Sequence, residues 1–387
     1  MTRLFLIAGE PSGDALGGAL MAGLNDLAPG VEFHGVGGPL MQAQGLDSLF
    51  PMDELSVMGL AEVLPRYRHL MRRIRHCADR VYELQPDALI TIDSPDFGLR
   101  VARRVKAASG IRTVHYVAPT VWAWRPGRAA KMAQVIDQVL ALFPFEPPYM
   151  EAEGMRCDFV GHPVVTGPHP DAAQIAAFRA HHGLRADERT LLVLPGSRQG
   201  EVARLAPIFG AALRPVLARH PGLRVVVPAA APVAAQVTDL TRSWPGQPIV
   251  LDPRAQPDPA HKAAAFHSAH QALAASGTVS LELAAARTPM VVAYDMNWIS
   301  RHLIRRMLKI DTVTLVNIVT NTRTVPEFLG EQCQPQLIAD ALLSLLGDPA
   351  ARQAQLDAAA QTMTLLGAGG PPPGLRAAQA VLDGLSD

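Results

Sequence analysis

The feature that most narrows the folds open to this chain is a rhythm of short apolar runs alternating with helix-length amphipathic stretches, played twice. In the first half the runs are Leu4 to Ala8, Ala88 to Ile92, Thr113 to Val117 and Gln138 to Phe143, with helices predicted from about Asp14 and through Arg103. Strand followed by helix followed by strand is the βαβ unit, because parallel neighbours need a crossover long enough to hold a helix. The rhythm pauses at Gly161 to Asp171, where Gly161, Pro163, Gly167, Pro168 and Pro170 make a linker. It restarts with Leu191 to Leu194, Arg224 to Val227, Gln271 to Ala275 and Met290 to Tyr294. A chain of 387 residues also exceeds the size at which one hydrophobic core keeps growing. The expectation is therefore an α/β protein of two doubly wound, Rossmann-like domains, 1–165 and 171–366, with the last helix, in 375–387, packing back on the first.

Lysine plus arginine equals aspartate plus glutamate at 35 each, so no global field attracts nucleic acid, and any basic site must be local. Cys77, Cys157 and Cys333 lie far apart and offer no zinc spacing, which suits a reducing compartment such as the cytoplasm. The apolar run at the start is interrupted by Glu10 and Asp14 before a signal core or membrane span could be complete, so it reads as a first strand. No Asp-x-Asp triplet occurs, and His261, His267 and His270 lack supporting carboxylates, so they read as surface residues and no metal is expected.

The chemistry-bearing motifs sit where predicted strands turn into helices, which is where open α/β sheets bind ligands. Gly9-Glu10-Pro11-Ser12-Gly13-Asp14 follows the first strand; its glycines permit close approach to the backbone, Asp14 suits a helix cap, and Glu10 is harder to explain as structure. Asp93-Ser94-Pro95-Asp96-Phe97 supplies two carboxylates at a strand end, of which Asp93 is the preferred base and Asp96 the better turn former. In the second half, Leu194-Pro195-Gly196-Ser197-Arg198 offers helix-start amides, a hydroxyl and a guanidinium to a phosphate, although Arg198 could instead pair with Glu201. Ser276-Gly277-Thr278 repeats that design, with Glu282 one helical turn along as an acceptor for ribose hydroxyls, or else a solvated helix charge. Trp122 and Trp124 form a sugar platform or packing, with Arg125 or Arg128 toward a phosphate, while His115 reads as a buried histidine. Apolar Leu55 to Leu64 precedes Arg66, Arg68, Arg72, Arg73, Arg75 and Arg80, either a solvated helix face or a surface for anionic lipid.

Taken in order, these motifs together with Val121-Trp122-Ala123-Trp124-Arg125, Phe143-Pro144-Phe145-Glu146, Gly161-His162-Pro163 and Glu201-Val202 resemble the lipid-A-disaccharide synthase family over nearly the whole chain. The resemblance implies a GT-B fold with two Rossmann-like domains facing a cleft. It implies transfer of diacylglucosamine from UDP-2,3-diacylglucosamine to the 6-hydroxyl of 2,3-diacylglucosamine 1-phosphate, with inversion, without metal and without a cofactor. By motif matching, Asp93 and Glu10 become the catalytic carboxylates, and Ser197, Arg198, Ser276, Gly277, Thr278, Glu282 and Asn317 would hold UDP, with Ser12 and Gly13 in the first-domain turn. Asn317 corresponds to a polar position after a strand, but here Leu315-Val316 precedes it where a Leu-Pro pair is expected, and Pro11 stands where a small hydroxyl residue is common. The acylated substrates further imply peripheral contact with anionic lipid on the cytoplasmic face of the inner membrane; a homodimer is left open as a partner. Two rivals stay in play: a UDP-sugar epimerase, and a non-enzymatic nucleotide-sugar-binding protein.

Overall fold

The computed structural model describes residues 2–55, 60–123, 127–296 and 310–386, except for the side chains of 60–66. The chain divides into two units, Met1–Thr166 with Leu366–Asp387, and Gly167–Leu365.

The first unit holds seven parallel strands: β1 (Arg3–Ala8), β2 (Glu32–Val36), β3 (Asp47–Ser48), β4 (Ala88–Ile92), β5 (Arg112–Tyr116), β6 (Gln138–Ala141) and β7 (Arg156–Phe159). Their order is β3-β2-β1-β4-β5-β6-β7, so the chain starts in the middle, builds to one edge, then returns to the other side of β1. β1 and β4 are thus the neighbours at which strand order reverses, and the crevice outside their carboxyl ends is the fold's natural ligand position. The second unit repeats the plan with β8 (Thr190–Leu194), β9 (Arg224–Pro228), β10 (Ile249–Leu251), β11 (Gln271–Ala274), β12 (Met290–Tyr294) and β13 (Glu327–Leu329) in the order β10-β9-β8-β11-β12-β13. There the reversal falls between β8 and β11, paired from Gln271 opposite Leu191 to Ala274 opposite Leu194.

Local chemistry fixes the helix starts. Pro11, Pro95, Pro259 and Pro335 each open a helix, where the missing N–H is one that the first turn could not have used. The helix Pro11–Leu27 lies close to the sheet because a Cβ on Gly13 would come within 3.3 Å of the Ile92 carbonyl. It lies equally close to the helix Pro373–Ser386, since a Cβ on Gly374 would sit 2.5 Å from the Ala19 carbonyl. That last helix is tied to the sheet of the first unit by Gln138 Nε2 donating to the Ala380 carbonyl at 2.8 Å and Arg376 donating to the Phe159 carbonyl at 2.7 Å. The helix Leu60–Leu84 turns Ile74, Cys77, Ala78 and Val81 into the core and leaves Arg68, Arg72 and Arg75 exposed, positions that share one helical face. All three cysteines are buried. No helix among the described residues is long and apolar enough to cross a membrane.

Candidate active site

At the carboxyl edge of the first sheet, the turns after β1 and β4 bring four polar residues together. The Ser12 hydroxyl donates to Asp93 Oδ2 at 3.0 Å, the Ser94 N–H donates to Asp93 Oδ1 at 3.0 Å, and the Ser94 hydroxyl reaches Glu10 Oε1 at 3.5 Å. Both oxygens of Asp93 are therefore oriented by the protein. The backbone here is strained: Asp93 has φ +51°, Ser94 φ +39° and, after β5, Val117 φ +88°. A left-handed β-branched residue is an outlier, and such conformations persist where the surroundings over-determine them, commonly at functional sites. Asp93, Glu10 and Ser12 are thus brought together as a cluster; Ser94 was missed, and its place directly after Asp93 at a strand end was the available signal. Asp96 lies exposed in the first turn of the helix Pro95–Ala108, and the groups orienting Asp93 are Ser12 and Ser94 instead.

Two other members of the Gly9–Asp14 turn are structural. Gly13 provides the close approach of helix to strand described above. Asp14 is 3% exposed and accepts three N–H groups, from Gly38 at 2.9 Å, Leu40 at 3.0 Å and Met41 at 3.0 Å. It caps the start of a neighbouring helix, Pro39–Gln42, rather than its own. His115 is buried on β5 with Nδ1 2.7 Å from the Thr91 hydroxyl, and burial pushes it down to about 4, so it is a neutral core group. Trp122 is buried too, donating its indole N–H to Glu146 at 3.3 Å and standing edge-on to Phe145, so it packs the loop and is no exposed sugar platform. Glu146 also accepts the N–H groups of Leu142 and Phe143, and burial pushes its carboxyl up to about 7. Trp124 and Arg125 lie outside the described residues.

In the second unit the corresponding edge carries Ser197 and Arg198 after β8 and Ser276, Gly277 and Thr278 after β11, all on neighbouring strand ends and, except for half-buried Ser276, exposed. Gly277, at φ +154°, has open space where a Cβ would stand, so a ligand can approach the backbone there. Glu282 is ion-paired with Lys262, from the helix Pro259–Ser268. Arg198 pairs with Glu201 at 3.3 Å, and the Ser197 N–H points at the other Glu201 oxygen at 3.3 Å. Tyr294, the polar residue ending β12, donates to Glu201 Oε1 at 3.2 Å; burial, then Glu201, raises its pKa.

Two expectations need correcting, those for Asn317 and the histidines, and the arginine run needs narrowing. Asn317 sits in a helix, Leu315–Thr320, not after a strand, and is wholly buried; its amide donates to the Thr312 hydroxyl and the Val325 carbonyl and accepts the Val325 N–H at 3.0 Å. It fastens the turn 312–325 and faces no solvent. Of the clustered arginines, Arg73 grips Glu54 with two 2.7 Å bonds over the Phe50 ring and Arg80 pairs with Glu83, while Leu55 is a core residue; Ser56 to Gly59 and the side chains of 60–66 lie outside the described residues. His261 is half-buried, 2.8 Å from His182, and His267 and His270 are half-buried as well. Among the described residues no group of three or more His, Cys, Asp or Glu is arranged to hold a metal.

Two doubly wound parallel sheets, each with polar residues gathered at its strand-order reversal, define the GT-B class. Solved structures of that fold include the UDP-GlcNAc 2-epimerase of Neisseria meningitidis bound to UDP-GlcNAc, with TM-score 0.66, 12% identity and 100% of both chains covered. A glycosyltransferase from Rickettsia africae is also similar, with TM-score 0.62, 11% identity and coverage of 100% of this chain and 98% of that one. At such identities the likeness speaks for the fold alone. Sequence goes further: the family model described as lipid-A-disaccharide synthetase matches residues 4–368. The lipid-A-disaccharide synthase of Ruegeria pomeroyi is 63% identical over 388 residues, covering 100% of this chain and 96% of that protein. The chain belongs to the lipid-A-disaccharide synthase family and is a glycosyltransferase.

Proposed function

We propose that this glycosyltransferase moves 2,3-diacylglucosamine from UDP-2,3-diacylglucosamine to the 6-hydroxyl of 2,3-diacylglucosamine 1-phosphate, forming a β(1→6) disaccharide 1-phosphate and UDP. The observation that carries the assignment of roles is the Asp93 carboxylate, oriented at both oxygens and held on a strained turn at the strand-order reversal. Asp93 takes the proton of the acceptor 6-hydroxyl as that oxygen attacks the anomeric carbon; the bond from that carbon to the diphosphate oxygen breaks, and its electron pair leaves with UDP. Glu10, joined to the cluster through Ser94, helps to hold the sugar hydroxyls. In the second unit Arg198 and the Ser197 hydroxyl face the diphosphate, Ser276, Gly277 and Thr278 give it room, and Glu282 accepts the ribose hydroxyls beside Lys262.

The acyl chains of both substrates favour a working position on anionic lipid at the cytoplasmic face of the inner membrane. The exposed stripe Arg68, Arg72 and Arg75, with Tyr67 exposed beside it, suits that contact. Mass spectrometry of the product made from the UDP-diacyl sugar and the acylated sugar phosphate tests donor, acceptor and linkage together. An epimerised sugar nucleotide formed from the donor alone would replace this reading with the epimerase.

A further inference from the structure

We propose that Glu201 is a positioning residue that presents Arg198 to the donor diphosphate, with Tyr294 as its brace. The inference rests on the UDP-donor reading and adds how the guanidinium is aimed. Arg198 and Glu201 differ sharply in freedom. The Arg198 side chain is 70% exposed, whereas that of Glu201 is 16% exposed. An exposed arginine samples many rotamers, and fixing one on a ligand costs conformational entropy, a cost removed when the protein has already set the rotamer. Glu201 is the fixed partner for three reasons. It stands in the first turn of the helix Gln199–Arg219. Its Oε2 is the target of the Ser197 N–H, and its Oε1 receives both the Arg198 Nη1 and the Tyr294 hydroxyl. It also lies directly beneath the turn: a Cβ on Gly196 would meet Glu201 Cβ and Oε2 at 2.9 Å.

That last contact decides between two roles for the carboxylate. A place-holder for phosphate would have to swing away when the ligand arrives, but Glu201 is packed under the turn and braced from β12. It therefore stays, on the inner side, while the outer guanidinium nitrogens of Arg198 remain for the diphosphate; guanidinium has five N–H donors, and the bond to Glu201 uses one. Gly196, at φ +122°, is the residue that lets the turn pass over the carboxylate without a side chain.

The experiment is calorimetric titration of the full-length protein with UDP for wild type, R198A, E201A, E201Q, Y294F and the R198A/E201A double variant, with urea melts to show each is folded. The expected pattern is about a tenfold weaker UDP affinity for E201A, a smaller loss for Y294F, a smaller loss for E201Q than for E201A because one acceptor oxygen remains, and a double variant no weaker than R198A alone. A merely structural Glu201 gives losses that add in the double variant and overturns the proposal, as does UDP binding that tightens in E201Q. If R198A binds UDP as wild type does, or wild type does not bind UDP, the donor reading itself fails; weakening in R198A with none in E201A removes only the role given to Glu201.

Discussion

Replacing Asp14 by Asn separates a residue that belongs to the ligand-facing turn by position from one that belongs to it by function. The side chain accepts the N–H groups of Gly38 and Met41 on Oδ1 and that of Leu40 on Oδ2, and it is 3% exposed. Asn has the same shape and can keep its carbonyl oxygen toward Gly38 and Met41. Its amide then meets the Leu40 N–H, donor against donor. One charge-assisted bond, at about 1.5–3 kcal/mol, is lost, and two more fall to neutral strength. With a donor left unsatisfied in a crowded place, the total is about 3–5 kcal/mol, a large part of the roughly 5–15 kcal/mol that holds a domain together. Urea denaturation of D14N should show a clear fall in midpoint, while the protein that remains folded binds UDP with wild-type affinity. An unchanged midpoint together with abolished turnover would refute the cap and return Asp14 to the substrate.

Three further outcomes are expected. D93N is a clean test of the base, because Asn tolerates the left-handed φ of +51° at that position; turnover should fall roughly 10²- to 10⁴-fold with donor affinity unchanged, and near-normal turnover would remove Asp93 from the role. R68E/R72E/R75E should weaken binding to anionic vesicles without moving the urea midpoint, whereas R73A should lower the midpoint by breaking the two bonds to Glu54, a difference that vesicle sedimentation and denaturation curves read separately. His115, lowered to about 4 by burial, binds a proton more weakly folded than unfolded, so its contribution to stability is complete above the ordinary value near 6.5 and is lost as pH falls toward 4; wild type should lose about 2 kcal/mol from this group between pH 7 and pH 5, and H115Q should show a correspondingly flatter pH dependence in urea titrations.

The central strands were legible because burial on both faces writes a continuous apolar run: β1, β4, β5, β6, β8, β9, β11 and β12 all lie within a residue or two of the runs read from sequence. Of the others, β3, β7, β10 and β13 are edge strands of two to four residues, β2 (Glu32–Val36) has its apolar run broken by His34 and Gly35, and Asp47–Ser48 carries no apolar signal at all. Leu315-Val316 shows the ambiguity of brief apolar stretches, being the start of a helix rather than the end of a strand.

What the sequence by itself determined was the α/β design used twice, the strand ends at which chemistry could sit, and the family, since each depends on local pattern or on motif order. Which polar residue at those ends faces a ligand was decided only by the tertiary structure. Asp14 is consumed by amides 24 to 27 residues away, Asn317 by the turn it fastens, and Arg73 by Glu54, while Asp93 is oriented by Ser12 from 81 residues away. A carboxylate or amide has the same donors and acceptors wherever it stands; whether protein or solvent satisfies them depends on what the fold brings within hydrogen-bonding distance.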